Sequence, residues 1–379
     1  MGNRSYDAIV LGLGGVGSAA AYHLALAGHK VLGLDQFSPP HQRGSSHGET
    51  RIIRKAYFEH ESYVPLLCRA YELWHDLEQQ VGRRLLHLTG LIEIGPENGT
   101  IIPGIRNSAA RFELPIEEMT MRDAIRRYPS IRGNDSWRVI IEKDAGYLLV
   151  EACVDAHLKL AQQLGATMTM NQSVIDWQPS GSGVVVRTRD TEYHAGHLVV
   201  AAGPWAGRVL KQYGTSLTVL RKHLYWYETD SSDYLETNGF PCFFYETPMG
   251  YFYGFPERDS HGLKLAQHSG GEAVLDEIDG KHFVDAVDQQ SVESFLQAYL
   301  PQVSHRMTRT VGCYYTMTPD EHFIVDSLPN HPQVVVVAGL SGHGFKFTSV
   351  LGEIAASMTA NSANQEAIGF LRLSRLQQS

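Results

Sequence analysis

A buried-strand pattern, Tyr6-Asp7-Ala8-Ile9-Val10-Leu11, runs directly into Gly12-Leu13-Gly14-Gly15-Val16-Gly17, and this junction constrains the fold more than any other feature of the chain. Gly12, Gly14 and Gly17 stand at G-x-G-x-x-G spacing, which serves a tight turn, close approach of backbone to a pyrophosphate, and close helix–strand packing. A helix from Ser18 to Ala27 follows, its N-terminal N–H groups aimed at the phosphates, with Gly28 as C-cap. A second strand, Lys30 to Leu34, ends in Asp35, where an acid would hold ribose hydroxyls. The order strand, glycine turn, helix, strand, acid predicts a dinucleotide site. It leaves open which dinucleotide, and with it the chemistry.

The chain has 379 residues, too many for one ordinary core, so two domains are expected. A formal net charge of −9 argues against a general nucleic-acid or anionic-membrane binder. The four cysteines, Cys68, Cys153, Cys242 and Cys313, form no C-x-x-C pair, which disfavours zinc and dithiol chemistry. No apolar run reaches membrane-spanning length, and the first strand begins too early for a signal peptide; a cytoplasmic protein is expected.

Helical spacing recurs at Tyr63–Val81, Met121–Tyr128 and Val150–Leu164, and strands are expected at 172–178 and 183–189. The segment His197–Gly207 reads as strand, small-residue turn and helix, approaching the same ligand through Gly203. Residues 216–311 alternate aromatic and polar side chains, predicting an antiparallel sheet. Val334–Leu340 then restores strand character before a glycine turn and a helix from about Lys346. The predicted class is α/β (α+β overall), with residues 1–85, 148–215 and 312–379 in a nucleotide-binding domain and 86–147 and 216–311 in an interwoven substrate domain.

Several groups stand out as carriers of chemistry. Arg51 and Arg54 flank Ile52 and Ile53, so they belong to a packed segment, where arginines need anions from the protein or from a ligand. They would share a face if the segment were helical. Lys346 in the first turn of a helix faces the positive end of the macrodipole, which favours an anion opposite it; Gly342 and Gly344 let backbone approach a ligand there. Alternation sets Lys264 opposite Leu263 and Leu265, and the commoner outcome for such a lysine is a solvent-facing one. Tyr251 and Tyr253 share a strand face, and Cys313 reads as a small buried residue.

Taken together, these segments resemble the monomeric sarcosine oxidase family of flavoprotein amine oxidases. The likeness runs in order through Gly12–Gly17, Pro39–His41, His47–Arg54, Tyr63–Pro65, Tyr253–Pro256, Leu263–Leu265, Asp320–Asp326 and Gly342–Phe347. It implies a Rossmann-like FAD-binding domain with an interwoven antiparallel-sheet substrate domain. It also implies FAD bound covalently as an 8α-S-cysteinyl thioether, at Cys313. Lys264 matches the lysine that activates oxygen, Arg51 an arginine near the flavin, and His268 and Tyr253 further active-site residues. Arg54 and Lys346 match the pair that grips a substrate carboxylate, while Tyr315, His343 and Phe244 fall at pocket positions. Ser45 and Val174 join Gly12, Gly14, Gly17, Asp35, Gly203, Gly342 and Gly344 as expected cofactor contacts. The implied reaction is oxidative demethylation of an N-methyl amino acid by a monomer, using oxygen and water, with N-methyl-tryptophan favoured over sarcosine. A flavin dehydrogenase with another electron acceptor is the alternative. The chain departs from the family at Ser46, Glu49 and Lys55, beside the expected flavin and substrate positions.

Overall fold

The computed structural model describes residues 5–274, 278, 285–360 and 367–377. Strand Ser5–Leu11 is the hub of the first sheet. It pairs in parallel with Val31–Leu34 on one side and Glu192–Val200 on the other. The helix between the first two strands spans Gly15–Leu26, starting three residues earlier than the sequence reading because Gly15 and Gly17 themselves enter it. Gly17 has to be glycine: a Cβ there would overlap the Gly12 carbonyl oxygen. Gly28, at φ +85°, follows the helix end as expected. Thr167–Thr169 extends the sheet beyond Val31–Leu34, and the hairpin Val174–Ser180 with Gly183–Thr188 extends it beyond Glu192–Val200. His331–Ala338 also joins Glu192–Val200 in parallel, bringing the C-terminal region against the N-terminal strands.

Helices Gly15–Leu26, Val64–Val81, Val150–Gln163 and Thr348–Thr359 cover one face of this sheet. Val64–Val81 buries Leu66, Leu67, Ala70, Leu73, Trp74 and Leu77 along one stripe, starts with Pro65 in its first turn and stops at Gly82 in the left-handed region. Each fully buried Leu contributes roughly 1.5–3 kcal/mol of transfer free energy.

The second sheet has nine strands and runs, in spatial order, through Glu272–Ala273, Thr218–Thr229, Leu263–Gln267, Gly250–Phe255, Cys242–Thr247, Leu91–Gly95, Arg138–Glu142 and Glu117–Thr120. Val303–Met317 pairs with Thr218–Thr229 off this path. The sheet is antiparallel except where Cys242–Thr247 meets Leu91–Gly95 in parallel. A helix at Ala286–Tyr299, not anticipated from the sequence, seals one face, where Phe295 stacks on Phe252. The opposite face carries Phe244, Tyr253, Phe255 and Ala266 and faces the loops of the first sheet. A small third sheet, Thr50–Ile53 with Gly146–Leu149 and Leu86–His87, forms between them. Among the described residues no helix is long and apolar enough to cross a membrane.

Candidate active site

One cleft of about 460 Å³ runs from the glycine turn to the aromatic face of the second sheet. At its nucleotide end lie Gly12, Gly14, Asp35, Ser45, Val174 and Gly203. Asp35 does more than wait for a ribose: its carboxylate accepts from Leu13 N at 2.8 Å and Phe37 N at 2.8 Å, propping the glycine turn. Ser46 adds a second prop, its Oγ accepting from Gly15 N at 3.0 Å, while Ser45 Oγ donates to Tyr314 O at 2.6 Å. Two buried wall hydroxyls, Thr316 Oγ1 and Thr348 Oγ1, have no hydrogen-bond partner among the described residues. Buried polar groups are rarely left so, and these suit a polar ligand in the cleft.

The 51–54 segment is a strand ending, not a helix, so Arg51 and Arg54 are not placed by a helical face. Arg51 lies on the cleft and donates to two backbone carbonyls, Thr50 O at 2.9 Å and Ser45 O at 3.1 Å. Its guanidinium also approaches Cys313 Sγ at 3.8 Å. Cys313 is a buried free thiol on Val303–Met317; it does not line the cleft, although Tyr314, Tyr315 and Thr316 after it do.

Lys264 corrects the expectation of a solvent-facing lysine. Both faces of its strand are covered, and it is 3% exposed. Its ammonium donates to Gly48 O at 2.5 Å, Thr50 O at 2.8 Å and Thr50 Oγ1 at 2.9 Å. Burial, reinforced by Arg51, still holds its pKa well below the usual lysine range. The turn that supplies these acceptors is fixed in turn by Glu151, whose carboxylate accepts from Gly48 N and Glu49 N. Lys264 itself sits behind the cleft wall and lines a second, one-water-sized hollow with Glu49, Trp226 and Phe255.

The far end of the cleft gathers Arg54, Phe244, Tyr253, His268, Tyr315, His343 and Lys346. Lys346 lies in the short turn Phe345–Phe347 just before helix Thr348–Thr359, slightly ahead of the predicted helical position. Its Nζ donates to His343 O at 2.7 Å, and burial, with Arg54 adding, lowers its pKa to about 7. His343 is wedged between Tyr57 OH at 2.6 Å from Nδ1 and Glu321 O at 3.1 Å from Nε2; burial keeps it neutral, with its pKa lowered to about 4. His268, its Nδ1 3.3 Å from Tyr315 OH, is likewise held neutral by burial, at about 3. Phe244 stacks on Tyr253 with ring centroids 6.4 Å apart and lies 5.7 Å from the centre of the His268 ring. Gly342 leaves room for the Tyr315 ring, which a Cβ there would strike.

Arg54 is the most constrained member. It lies over the rings of Tyr57 and Phe58 at 4.6 and 4.4 Å. Its Nη2 donates to Glu59 Oε2 at 2.5 Å, and Glu93 Oε1 approaches its Nε at 3.3 Å. Burial alone would raise the Glu59 pKa, but Arg54, His343 and Lys346 pull it down to about 2. No motif or spacing in the sequence marks Glu59. Glu93 had a usable signal, a lone acid in the apolar strand Leu91-Ile92-Glu93-Ile94.

The family described as DAO, FAD dependent oxidoreductase, matches residues 7–358. The chain is 40% identical over 372 residues to proteins named N-methyl-L-tryptophan oxidase from Yersinia pestis (strain Pestoides F) and Yersinia pseudotuberculosis serotype O:1b (strain IP 31758), spanning 98% of this chain and 99% of each relative. Among solved structures it is similar to NikD, an unusual amino acid oxidase essential for nikkomycin biosynthesis, with a TM-score of 0.84, 25% identity and 98% of both chains covered. L-proline dehydrogenase from P. horikoshii shares the fold at a TM-score of 0.83 and 18% identity, covering 99% of each chain. A strand–glycine turn–helix at the head of a shared cleft, and a family match over nearly the whole length, lead to one conclusion: the chain belongs to the DAO family of FAD-dependent oxidoreductases.

Proposed function

We propose that this protein oxidises N-methyl L-amino acids, with N-methyl-L-tryptophan as the leading substrate, giving the primary amino acid, formaldehyde and hydrogen peroxide. The observation that carries the reading is the pairing of two buried cations, Arg54 and Lys346, with a wall of Phe244, Tyr253 and His268 at one end of the cofactor cleft. The name of the 40%-identical relatives supports the choice of substrate.

In this reading residues 1–85, 148–215 and 312–379 hold FAD, and 86–147 and 216–311 hold the substrate. Gly12, Gly14, Gly17, Asp35, Ser45, Arg51, Val174, Gly203, Gly342, Gly344 and Lys346 frame the cofactor, with Cys313 as the covalent attachment. Bound FAD supplies a two-electron acceptor for the C–H bond next to the amine nitrogen. Arg54 and Lys346 bind the substrate carboxylate, Arg54 through its planar fork and Lys346 as a point charge. Their field also lowers the pKa of the nearby amine, favouring the neutral form that reacts. Neutral His268 and Tyr253 orient the amine, and Tyr315 and His343 fix the wall. Arg51 and Lys264 converge on Thr50 O and concentrate positive charge where electrons accumulate and oxygen is reduced.

A panel of N-methyl amino acids, scored for peroxide and formaldehyde, tests the reading. N-methyl-L-tryptophan should lead; a preference for sarcosine would move the assignment to the smaller substrate. Substrate bleaching of the flavin without oxygen consumption would favour a dehydrogenase instead.

A further inference from the structure

The carboxylate site has more negative charge built into it than its proposed task allows. Arg54 and Lys346 are its two cations, and Glu59 and Glu93 already lie within reach of Arg54. A substrate carboxylate would add one more anion to this desolvated cluster, where an unbalanced charge costs several kcal/mol. One acid group must either leave or lose its charge.

The three acids around Arg54 are not equivalent. Glu59 lines the cleft and forms a charge-assisted hydrogen bond to Arg54 Nη2, so it can stay ionised and move aside. Glu142, on the neighbouring strand Arg138–Glu142, accepts from Lys55 N at 2.6 Å and Ala56 N at 2.9 Å, which supports its carboxylate form. Glu93 is 0% exposed, on the interior strand Leu91–Gly95, with Phe244 beside it in register. It faces Arg54 Nε at 3.3 Å, yet neither of its oxygens has a hydrogen-bond partner among the described residues. Besides Arg54, the charged groups that act on it most strongly are Glu142, Glu59 and Lys346. Of these acids, Glu93 is the one with least support for its charge and no route out of the core.

We propose that Glu93 takes up a proton when a carboxylate binds at Arg54 and Lys346, and thereby acts as the positioning residue that keeps Arg54 in place without competing for its charge. Burial pushes its carboxyl up to about 8 against the pull of Arg54, in the same direction as this argument. Below that pH the acid is already neutral and leaves the guanidinium charge to the ligand. Above it, binding must draw a proton from solvent onto a Glu93 oxygen, and carboxylate affinity falls as pH rises.

The inference rests on the proposed carboxylate site, and the test separates the two. Holoenzyme at about pH 9 is compared with and without saturating acetate by infrared difference spectroscopy, with binding followed in parallel by the flavin absorbance. Acetate should produce the carbonyl stretch of a protonated carboxyl group, shifted in D2O. Glu93→Gln should abolish it, and Glu93→Asp should move it. Proton uptake by Lys346 gives no such band. Acetate binding without the band, or a band that survives Glu93→Gln, overturns the role of Glu93 and leaves the site standing. Failure of acetate to perturb the flavin overturns the carboxylate site and this inference with it.

Discussion

Lys346 offers the sharpest quantitative test of how the substrate is held. Its ammonium is buried beside Arg54, and its pKa is lowered to about 7, chiefly by burial. A bound carboxylate favours the charged form and moves the pKa back up. The sign follows: below pH 7 the free enzyme already carries the cation, and above it binding must first restore the proton. Through Lys346 alone, affinity for a carboxylate should therefore fall about fivefold between pH 7 and 8, or about 1 kcal/mol, and approach tenfold per unit above that until the bound-state pKa is reached, with any Glu93 proton steepening the fall above pH 8. Lys346→Arg keeps a cation that does not titrate below pH 12, so its affinity should stay flat between pH 7 and 8, with only the Glu93 contribution appearing above. Lys346→Gln should lose roughly 1.5–3 kcal/mol at pH 6, the worth of a charge-assisted hydrogen bond, and become insensitive to pH over the same interval. Acetate titrations of holoenzyme at half-unit steps from pH 6 to 9, read by flavin absorbance, measure all three. A wild-type affinity that is flat from pH 7 to 8, or an arginine variant with the wild-type slope, would refute the argument.

Acid-precipitated wild-type protein should stay yellow, and Cys313→Ala should release its flavin into the supernatant; colour lost from the wild type would remove the thioether assignment. Lys264→Met should slow reoxidation by oxygen at least tenfold while anaerobic flavin reduction by substrate changes less, as stopped-flow absorbance would show. Gly17→Ala forces a methyl group against the Gly12 carbonyl oxygen, so it should cost about 1–3 kcal/mol or more in thermal or urea unfolding and lower flavin content. Phe244→Ala opens the wall next to His268 and should raise kcat/KM for bulky N-methyl amino acids relative to sarcosine; an unchanged ratio would mean that Phe244 does not shape the side-chain pocket.

Local rules made the nucleotide end readable. Gly12, Gly14 and Gly17 are required by close backbone approach, and that requirement is written at fixed spacing within one turn. The helix Val64–Val81 was equally legible, because Pro65, a stripe of apolar residues and Gly82 all agree. The helix Ala286–Tyr299 was hidden by its surroundings: it lies within an aromatic, strand-rich stretch, and its mean hydropathic stripe is set by only a few residues such as Val292, Phe295 and Leu296. Alternation alone makes Lys264 solvent-facing, because it tells which face a residue takes but not whether a segment more than 200 residues away in sequence covers that face. Gly48 and Thr50 provide that cover. Glu93 is legible only as a lone acid in an apolar strand, because its partner Arg54 reaches it only after folding, whereas Glu59 lies five residues from Arg54 in a segment with no periodic pattern to single it out.

The strand Val303–Met317 begins beside helix Ala286–Tyr299 and ends with Tyr315 and Thr316 in the cleft, while the next strands return the chain to the first sheet. The two sheets are thus threaded through one another by a single polypeptide that crosses between them repeatedly. Neither can be excised as a fragment that keeps its own neighbours, and many contacts join residues far apart in sequence, which slows folding. Cofactor occupancy should consequently raise the melting temperature of both sheets together, as one cooperative transition rather than two. A limited protease acting on the apoprotein would then find its cuts linked: opening the nucleotide end would loosen the aromatic sheet as well.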